Sequence, residues 1–359
     1  MRAATLPVQR PADAKLLAID AAGRITHGPR DRLVDLLRAG DVVVANDAAT
    51  LPASLVATHV PSGAVVEVRL AQRASLDPLD VRDFVAVLFG DGDHRVRTEE
   101  RAAPPSVAAG DTLRFEGMQA TITSLHGHAR LVSLRFEAGA PDVWAFLAAR
   151  GKPIQYAYVQ EPLALWDVWT GIASMPAAFE PPSAGFVLDW QLLARLRWEG
   201  IGFATLTHAA GISSTGDPAL DARLPFDEPY RIPRATVQAI EGARRRGGRV
   251  VAVGTTVVRA LESAADAAGR VRAGDGIATT RIGPGTALEV VDAIVSGTHE
   301  RGTSHYELLR AFTDDLALRR ADRALEARGY RTHEFGDSVF VERNVDRRPK
   351  RAPVQGRTA

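Results

Sequence analysis

Apolar positions recur along this chain with two different periods, and the change from one to the other divides it. Between Lys15 and Ala48, "KLLAIDAAGRITHGPRDRLVDLLRAGDVVVANDA" reads as strand, turn, strand, short helix with Gly40 just past its end, and a strand from Val42 to Ala45. From about Leu55 to Glu137 the texture shifts to short runs rich in Val, Leu, Phe and Thr, separated by Gly, Asp and Pro clusters. "GAVVEVRLAQR", "DFVAVLFGDGDH", "DTLRF", "MQATITSL" and "RLVSLRF" are these runs, and they predict a small all-β unit, sandwich or barrel. Helical spacing returns in "PDVWAFLAARG", with Pro141 in its first turn and Gly151 at its end, and in "DWQLLARLRWEG", with Asp189 as N-cap and Gly200 as C-cap.

Strand and helix then alternate. "FATLTHAAG" is a strand running into a loop, and "RATVQAIEGARRRGG" is a helix. Val250 to Val253 form an apolar run suited to a strand covered on both faces. One long helix is expected around "HYELLRAFTDDLALRRADRALEARG", before a last strand in "GDSVFVER". Alternation on both sides of the β-rich stretch predicts an α/β domain, residues 1–54 with 140–344, interrupted by an inserted small all-β, barrel-like domain at 55–139. The basic tail, 345–359, is expected to be disordered.

Composition narrows the chemistry. A chain of 359 residues, 46% hydrophobic and 24% charged, can bury a substantial core. No apolar run approaches the roughly 18 residues of a membrane span, and the start "MRAATLPVQRPADAKLL" lacks an apolar signal core. The expectation is a cytoplasmic monomer with no membrane partner. The absence of cysteine excludes disulfides, a thiolate nucleophile and sulfur-ligated metal centres, leaving catalysis to oxygen and nitrogen side chains. A net charge of +1 creates no general field for nucleic acid, so an RNA partner needs a local basic patch. Arg244 to Arg246 and "RRPKRA" at 347–352 are candidates, and each also reads as helix-end cations or an unstructured end. "GDGDH" at 90–94 suggests a metal through Asp91, Asp93 and His94, but a hairpin turn accounts for it and no metal is expected.

Walker, G-x-G-x-x-G, H-E-x-x-H and G-x-S-x-G signatures are missing. The turn in "VVAVGTTVVRALESAA", residues 250–265, is therefore more informative. Val257, Val258, Leu261, Ala264, Ala265 and Ala268 fall on one arc of a helical wheel, and Arg259, Glu262 and Asp266 on the other. Free N–H groups and the positive dipole end at Gly254, Thr255 and Thr256 suit an anion or an oxygen-rich ligand such as a small carboxylate or a ribose. The plainer alternative is that a threonine caps the helix while Arg259 and Glu262 form a solvated i,i+3 pair. His208 ends a strand beside a small-residue loop, as a general base would. Asn46 and Asp47 directly follow a strand, at the edge where open α/β sheets place clefts. Glu228 in "FDEPYRIP" and His299 in "SGTHERGTSH" lie in polar, turn-rich stretches.

Taken together, "AVGTTVVRALESAA", "GDVVVANDAATLPASL", "PPSAGF", "DEPYRI" and "YRTHEFGDSVFV" resemble the S-adenosylmethionine:tRNA ribosyltransferase-isomerases of queuosine biosynthesis, in the family's order from about residue 14 to 342. The resemblance implies an α/β domain with an inserted β-barrel. It also implies S-adenosylmethionine acting as ribosyl donor, with no metal. The acceptor is then the aminomethyl group of a 7-deazaguanine in tRNA; adenine and methionine leave, and epoxyqueuosine forms. Carried onto matching positions, it casts His208 as acid/base, with Glu228 and Asp47 as further catalytic candidates. Gly254, Thr255, Thr256, Arg259, Glu262, Asn46, Tyr230, His299 and Asp337 become substrate-binding candidates.

The chain also departs from the pattern. Ala49 and Ser54 replace two arginines of N-[DN]-T-R-V-[IL]-P-A-R-L, and Val187 replaces the histidine of A-P-T-A-G-L-H-F. P-L-P-P-Y-I is here "PIQYAY" and T-L-H-V-G-x-G-T-F is "LTHAAGISS". Arginines suit phosphate and histidines suit proton transfer, so this is the pattern of a divergent paralog. Three readings stay open: the family reaction on tRNA, an enzyme acting on another acceptor with the same nucleoside donor, and a non-catalytic nucleoside- or RNA-binding protein.

Overall fold

The computed structural model describes residues 1–344; the tail expected to be disordered, 345–359, lies outside the described residues. Two sheet systems dominate. The first is an open nine-stranded sheet whose order runs Gly274–Ala278, Glu228–Ile232, Gly202–His208, Val42–Asn46, Val250–Val253, Ala293–Gly297, Ser338–Glu342, Lys15–Ile19, Ile25–Pro29. Its centre is parallel: Gly202–His208 and Val250–Val253 flank Val42–Asn46, and Ala293–Gly297 continues the series. These central strands are covered on both faces, which is why Val42–Asn46 and Val250–Val253 are buried at every residue and read as unbroken apolar runs.

The second system is a closed antiparallel barrel in the order Met118–Leu125, Leu131–Phe136, Asp83–Phe89, Val65–Gln72, Ser54–His59, Thr112–Phe115. Burial alternates along Ser54–His59 from Leu55 onward, as one-sided packing requires. Phe84, Phe115 and Phe136 fill the interior. The fold is thus an α/β domain interrupted by a small barrel, as expected. One boundary differs. Helix Ala140–Arg150, expected in the α/β domain, places Val143, Phe146 and Leu147 in the barrel core, with Phe115 and Phe146 edge to face at 5.4 Å. Three buried apolar side chains at about 1.5–3 kcal/mol each tie this helix to the barrel.

Two further expectations are corrected. The single long helix after His305 is broken into Ser304–Leu309 and Asp315–Ala327. Asp314 causes the break, because its carboxylate accepts the Ala317 N–H at 2.7 Å and caps a new helix. "GDGDH" is no hairpin: strand Asp83–Phe89 pairs with Leu131–Phe136 and Val65–Gln72. Asp93 instead binds the Arg95 N–H and guanidinium, 2.8 and 2.7 Å. Of the basic cluster, Arg244 donates to the carbonyls of Gly269, Glu289 and Val290, so it anchors its helix to a neighbouring loop. Among the described residues, no helix is long and apolar enough to cross a membrane.

Candidate active site

The parallel strands deliver their C-terminal ends to one edge of the sheet, where open α/β folds form clefts. Asn46, His208 and Gly254 arrive there, with Gly297 beside them and Glu228 opening the adjacent antiparallel strand. A cavity of about 330 Å³ opens at this edge, lined among others by Glu180, Gly211, Glu228, the Gly254–Thr256 turn, Arg259, His299 and His305. That size lies at the lower end for small-molecule sites.

The turn has a definite geometry. Gly254 takes φ +96°, a conformation that disfavours any side chain, and its N–H donates to Val295 O at 2.8 Å. Neither threonine caps the helix Thr255–Ala264: the N-cap is Gly254, without a side-chain bond. The Thr255 and Thr256 side chains therefore stand at the cavity wall, the Thr256 hydroxyl able to donate although its oxygen is reached by Asn46, next to first-turn N–H groups that have no acceptor within the helix. Asn46 braces this turn from below. Its Oδ1 accepts the N–H of His208 (2.9 Å) and Ala48 (3.1 Å), and its Nδ2 donates to His208 O (2.9 Å) and reaches Thr256 Oγ1 (3.4 Å).

Glu228 is a buried hub. One carboxylate oxygen accepts the Gly211 N–H at 2.5 Å and the other is ion-paired with Arg259. A Cβ on Gly211 would stand 2.8 Å from Glu228 Oε1, so the "HAAG" glycine is required for this approach. Arg259 is buried, contrary to its place on the polar arc of the wheel. It spends its remaining donors on Phe226 O (3.1 Å), Ala278 O (2.8 Å) and Thr280 O (3.4 Å). Burial lowers its pKa to about 10, which leaves it charged at neutral pH. The alternative of a solvated Arg259–Glu262 pair does not hold. Glu262 turns away and accepts the N–H groups of Glu289, Val290 and Val291 at 2.8–3.0 Å.

A second carboxyl, Glu180, enters the same cavity from the loop before the Ser183–Val187 turn. It is 8% exposed and accepts a hydrogen bond from the Tyr156 hydroxyl. Tyr156 stacks on Tyr158 at 6.0 Å, and Tyr158 on His333 at 4.2 Å. Burial, and then the charge of Glu334, raise the Glu180 pKa to about 7. His299 and His305 complete the lining as a stacked pair, centroids 4.4 Å apart. Burial and then the Arg259 charge lower His305 to about 4, and burial holds His299 well below its ordinary value, so both are neutral at pH 7.

Of the residues singled out in the sequence, Glu228, Gly254, Thr255, Thr256, Arg259 and His299 are brought together around the cavity. Six are not. His208 is fully buried, with its Nε2 3.5 Å from Glu228 Oε2 and neither ring nitrogen hydrogen-bonded. Burial, reinforced by Arg259, keeps its pKa well below the usual range, so it is a neutral wedge under Glu228 rather than an acid/base facing a ligand. Asp47 points to the other face of the sheet, held by the hydroxyls of Thr205 (3.1 Å) and Thr207 (2.7 Å). Asn46 acts as the brace described above. Tyr230 packs in the core over Gly276. Glu262 ties down a loop, and Asp337 accepts the N–H groups of Lys15 and Arg331, both at 2.8 Å. Glu180, Tyr156 and His305 were missed; only the proximity of Glu180 to "PPSAGF" could have marked it.

Two of the departures from the family pattern, Ser54 and Val187, are taken up within the fold. Ser54 Oγ donates to Glu67 at 2.8 Å, and Val187 is buried in the core beside Leu188 and Val253.

The family described as "Queuosine biosynthesis protein" matches residues 1–341. The S-adenosylmethionine:tRNA ribosyltransferase-isomerase of Sorangium cellulosum is 33% identical over 368 residues, 96% of each chain. That of Gluconacetobacter diazotrophicus is 34% identical over 360 residues, 97% of this chain and 93% of its own. A crystal structure of S-adenosylmethionine tRNA ribosyltransferase from Thermotoga maritima, 23% identical, aligns over 94% of this chain and 95% of its own with a TM-score of 0.49.

Proposed function

The chain belongs to the family of queuosine biosynthesis proteins, and from that premise we propose that it is an S-adenosylmethionine:tRNA ribosyltransferase-isomerase. S-adenosylmethionine serves as a substrate that gives up its ribosyl unit. The acceptor is the aminomethyl group of a 7-deazaguanine in tRNA, and the product is epoxyqueuosine. One observation carries the reading: the relationship spans nearly the whole chain, and the chain has a cavity lined by the Gly254–Thr256 turn in which such a substrate can sit.

The cavity residues meet the demands of that chemistry in distinct ways. First-turn N–H groups and the Thr255 and Thr256 hydroxyls offer donors to a carboxylate or to ribose oxygens, and the helix dipole favours negative charge there. Arg259 does not reach out to the donor. It fixes Glu228 and supplies positive charge behind it, so that Glu228 presents a held carboxylate to the cavity. The neutral His299 and His305 offer flat faces and ring nitrogens able to hydrogen-bond a leaving nucleobase. The buried surroundings strengthen each of these polar contacts by lowering the local dielectric.

The test is direct. Purified protein incubated with S-adenosylmethionine and tRNA carrying 7-aminomethyl-7-deazaguanine is expected to release adenine and methionine, and to leave epoxyqueuosine on the tRNA. Absence of adenine release under conditions where S-adenosylmethionine binds would refute the reading.

A further inference from the structure

The cavity contains two glutamates whose surroundings differ in one respect. Glu228 carries its own cation, Arg259. Among the described residues Glu180 has none: what faces it is the Tyr156 hydroxyl, Ser213 and, beyond Tyr158, the like charge of Glu334. Arg69 lies over the Tyr156 ring, 5.6 Å from its centroid, and its ion pair is made with Glu67 at 2.7 Å. A buried carboxylate on a cavity wall with no counter-charge is incomplete as a structural element, because desolvation of the charge is uncompensated. It is complete when a cation enters the cavity.

Both substrates of the reaction proposed above bring primary ammonium groups. That of S-adenosylmethionine sits beside its own carboxylate, which the N-terminal turn at Gly254 attracts. The aminomethyl group of the acceptor has no such companion, and it must lose a proton before its nitrogen can form a bond. We propose that Glu180 receives this aminomethyl ammonium and acts as the base that deprotonates it. The carboxylate takes one proton from R–CH2–NH3+, an O–H bond replaces an N–H bond, and the neutral nitrogen keeps the electron pair as a free lone pair. Tyr156, which donates to Glu180 without lining the cavity, is the positioning residue: it stabilises the charged form. The pKa of about 7 raised by burial suits this duty, since a base poised near the working pH combines availability with driving force.

The inference rests on the ribosyltransferase reading, and the experiment separates the two. Adenine release and S-adenosylmethionine binding are measured on the full chain from pH 5.5 to 9 for wild type, Glu180→Gln, Glu180→Asp and Tyr156→Phe. The expected result is a wild-type kcat/KM that rises through a limb near pH 7. Glu180→Gln lowers kcat by about 100-fold or more and loses the limb, while S-adenosylmethionine affinity changes less than about twofold. Glu180→Asp retains the limb, and Tyr156→Phe moves it to higher pH. A Glu180→Gln protein with an unchanged rate and limb overturns the assignment alone. A matching loss of S-adenosylmethionine affinity also overturns it, placing the donor's ammonium at Glu180. If wild type binds S-adenosylmethionine and releases no adenine, the ribosyltransferase reading falls, and the assignment with it. Circular dichroism and thermal melts confirm that each variant is folded.

Discussion

Glu228 and Glu180 hang on the same short segment of chain, one meeting Gly211 and the other facing Ser213, yet they occupy opposite electrostatic situations. Glu228 is neutralised from within the fold by Arg259, and its second oxygen is occupied by a backbone N–H. Glu180 has neutral donors only and a like charge nearby. The difference teaches that two carboxyls on one cavity wall, held by partners only two residues apart, can serve rigidity and reactivity separately. The first is a finished structural pair, and the second is held ready for a cation that the protein does not supply.

The largest effect is expected from breaking the finished pair. Glu228→Gln leaves Arg259 buried without its counter-charge, so urea unfolding should show a loss of about 3–5 kcal/mol. Glu180→Gln should do the reverse at alkaline pH. Because the folded carboxyl has a raised pKa, its stabilising contribution is fully present below about 4.5 and is lost as pH rises through about 7. At pH 8 wild type bears a cost on the order of 3 kcal/mol that glutamine removes, while at pH 4 the two proteins should unfold alike. A Glu180→Gln variant less stable than wild type at pH 8 would erase the contrast.

Smaller changes sharpen it. Glu262→Gln leaves at least one of three backbone N–H groups poorly satisfied and should cost about 1–3 kcal/mol, with S-adenosylmethionine affinity of the folded protein unaltered. Thr256→Val should change stability by less than about 1 kcal/mol but weaken S-adenosylmethionine binding roughly two- to tenfold in calorimetry, the worth of one hydrogen bond. Together these separate residues that build the cavity from residues that face it.

The contrast also explains what could be read in advance. Periodicity marked the central strands and most helices, because a covered strand and a one-sided helix each leave a repeat in the sequence. Gly254, Thr255, Thr256, Glu228 and His299, which line the cavity, stand out in the sequence because they lie at or near the ends of such elements. Glu180 and Tyr156 lie in the aperiodic stretch between helix Ala140–Arg150 and helix Trp190–Trp198, where position is set by contacts distant in sequence. Face was the other obstacle. Asn46 and Asp47 are neighbours at a strand end and point to opposite sides, so one braces the cavity and the other binds threonines behind the sheet. Arg259 and Glu262 looked solvent-facing on a wheel because their partners, Glu228 and the 289–291 backbone, come from other segments.

The most direct test of the whole account is a crystal structure of the protein with S-adenosylmethionine bound. It should place the nucleoside in the cavity, within hydrogen-bond distance of the Gly254–Thr256 turn, with the Glu180 carboxyl left open toward the incoming amine. A nucleoside bound elsewhere, with that turn covered by packed side chains, would contradict it.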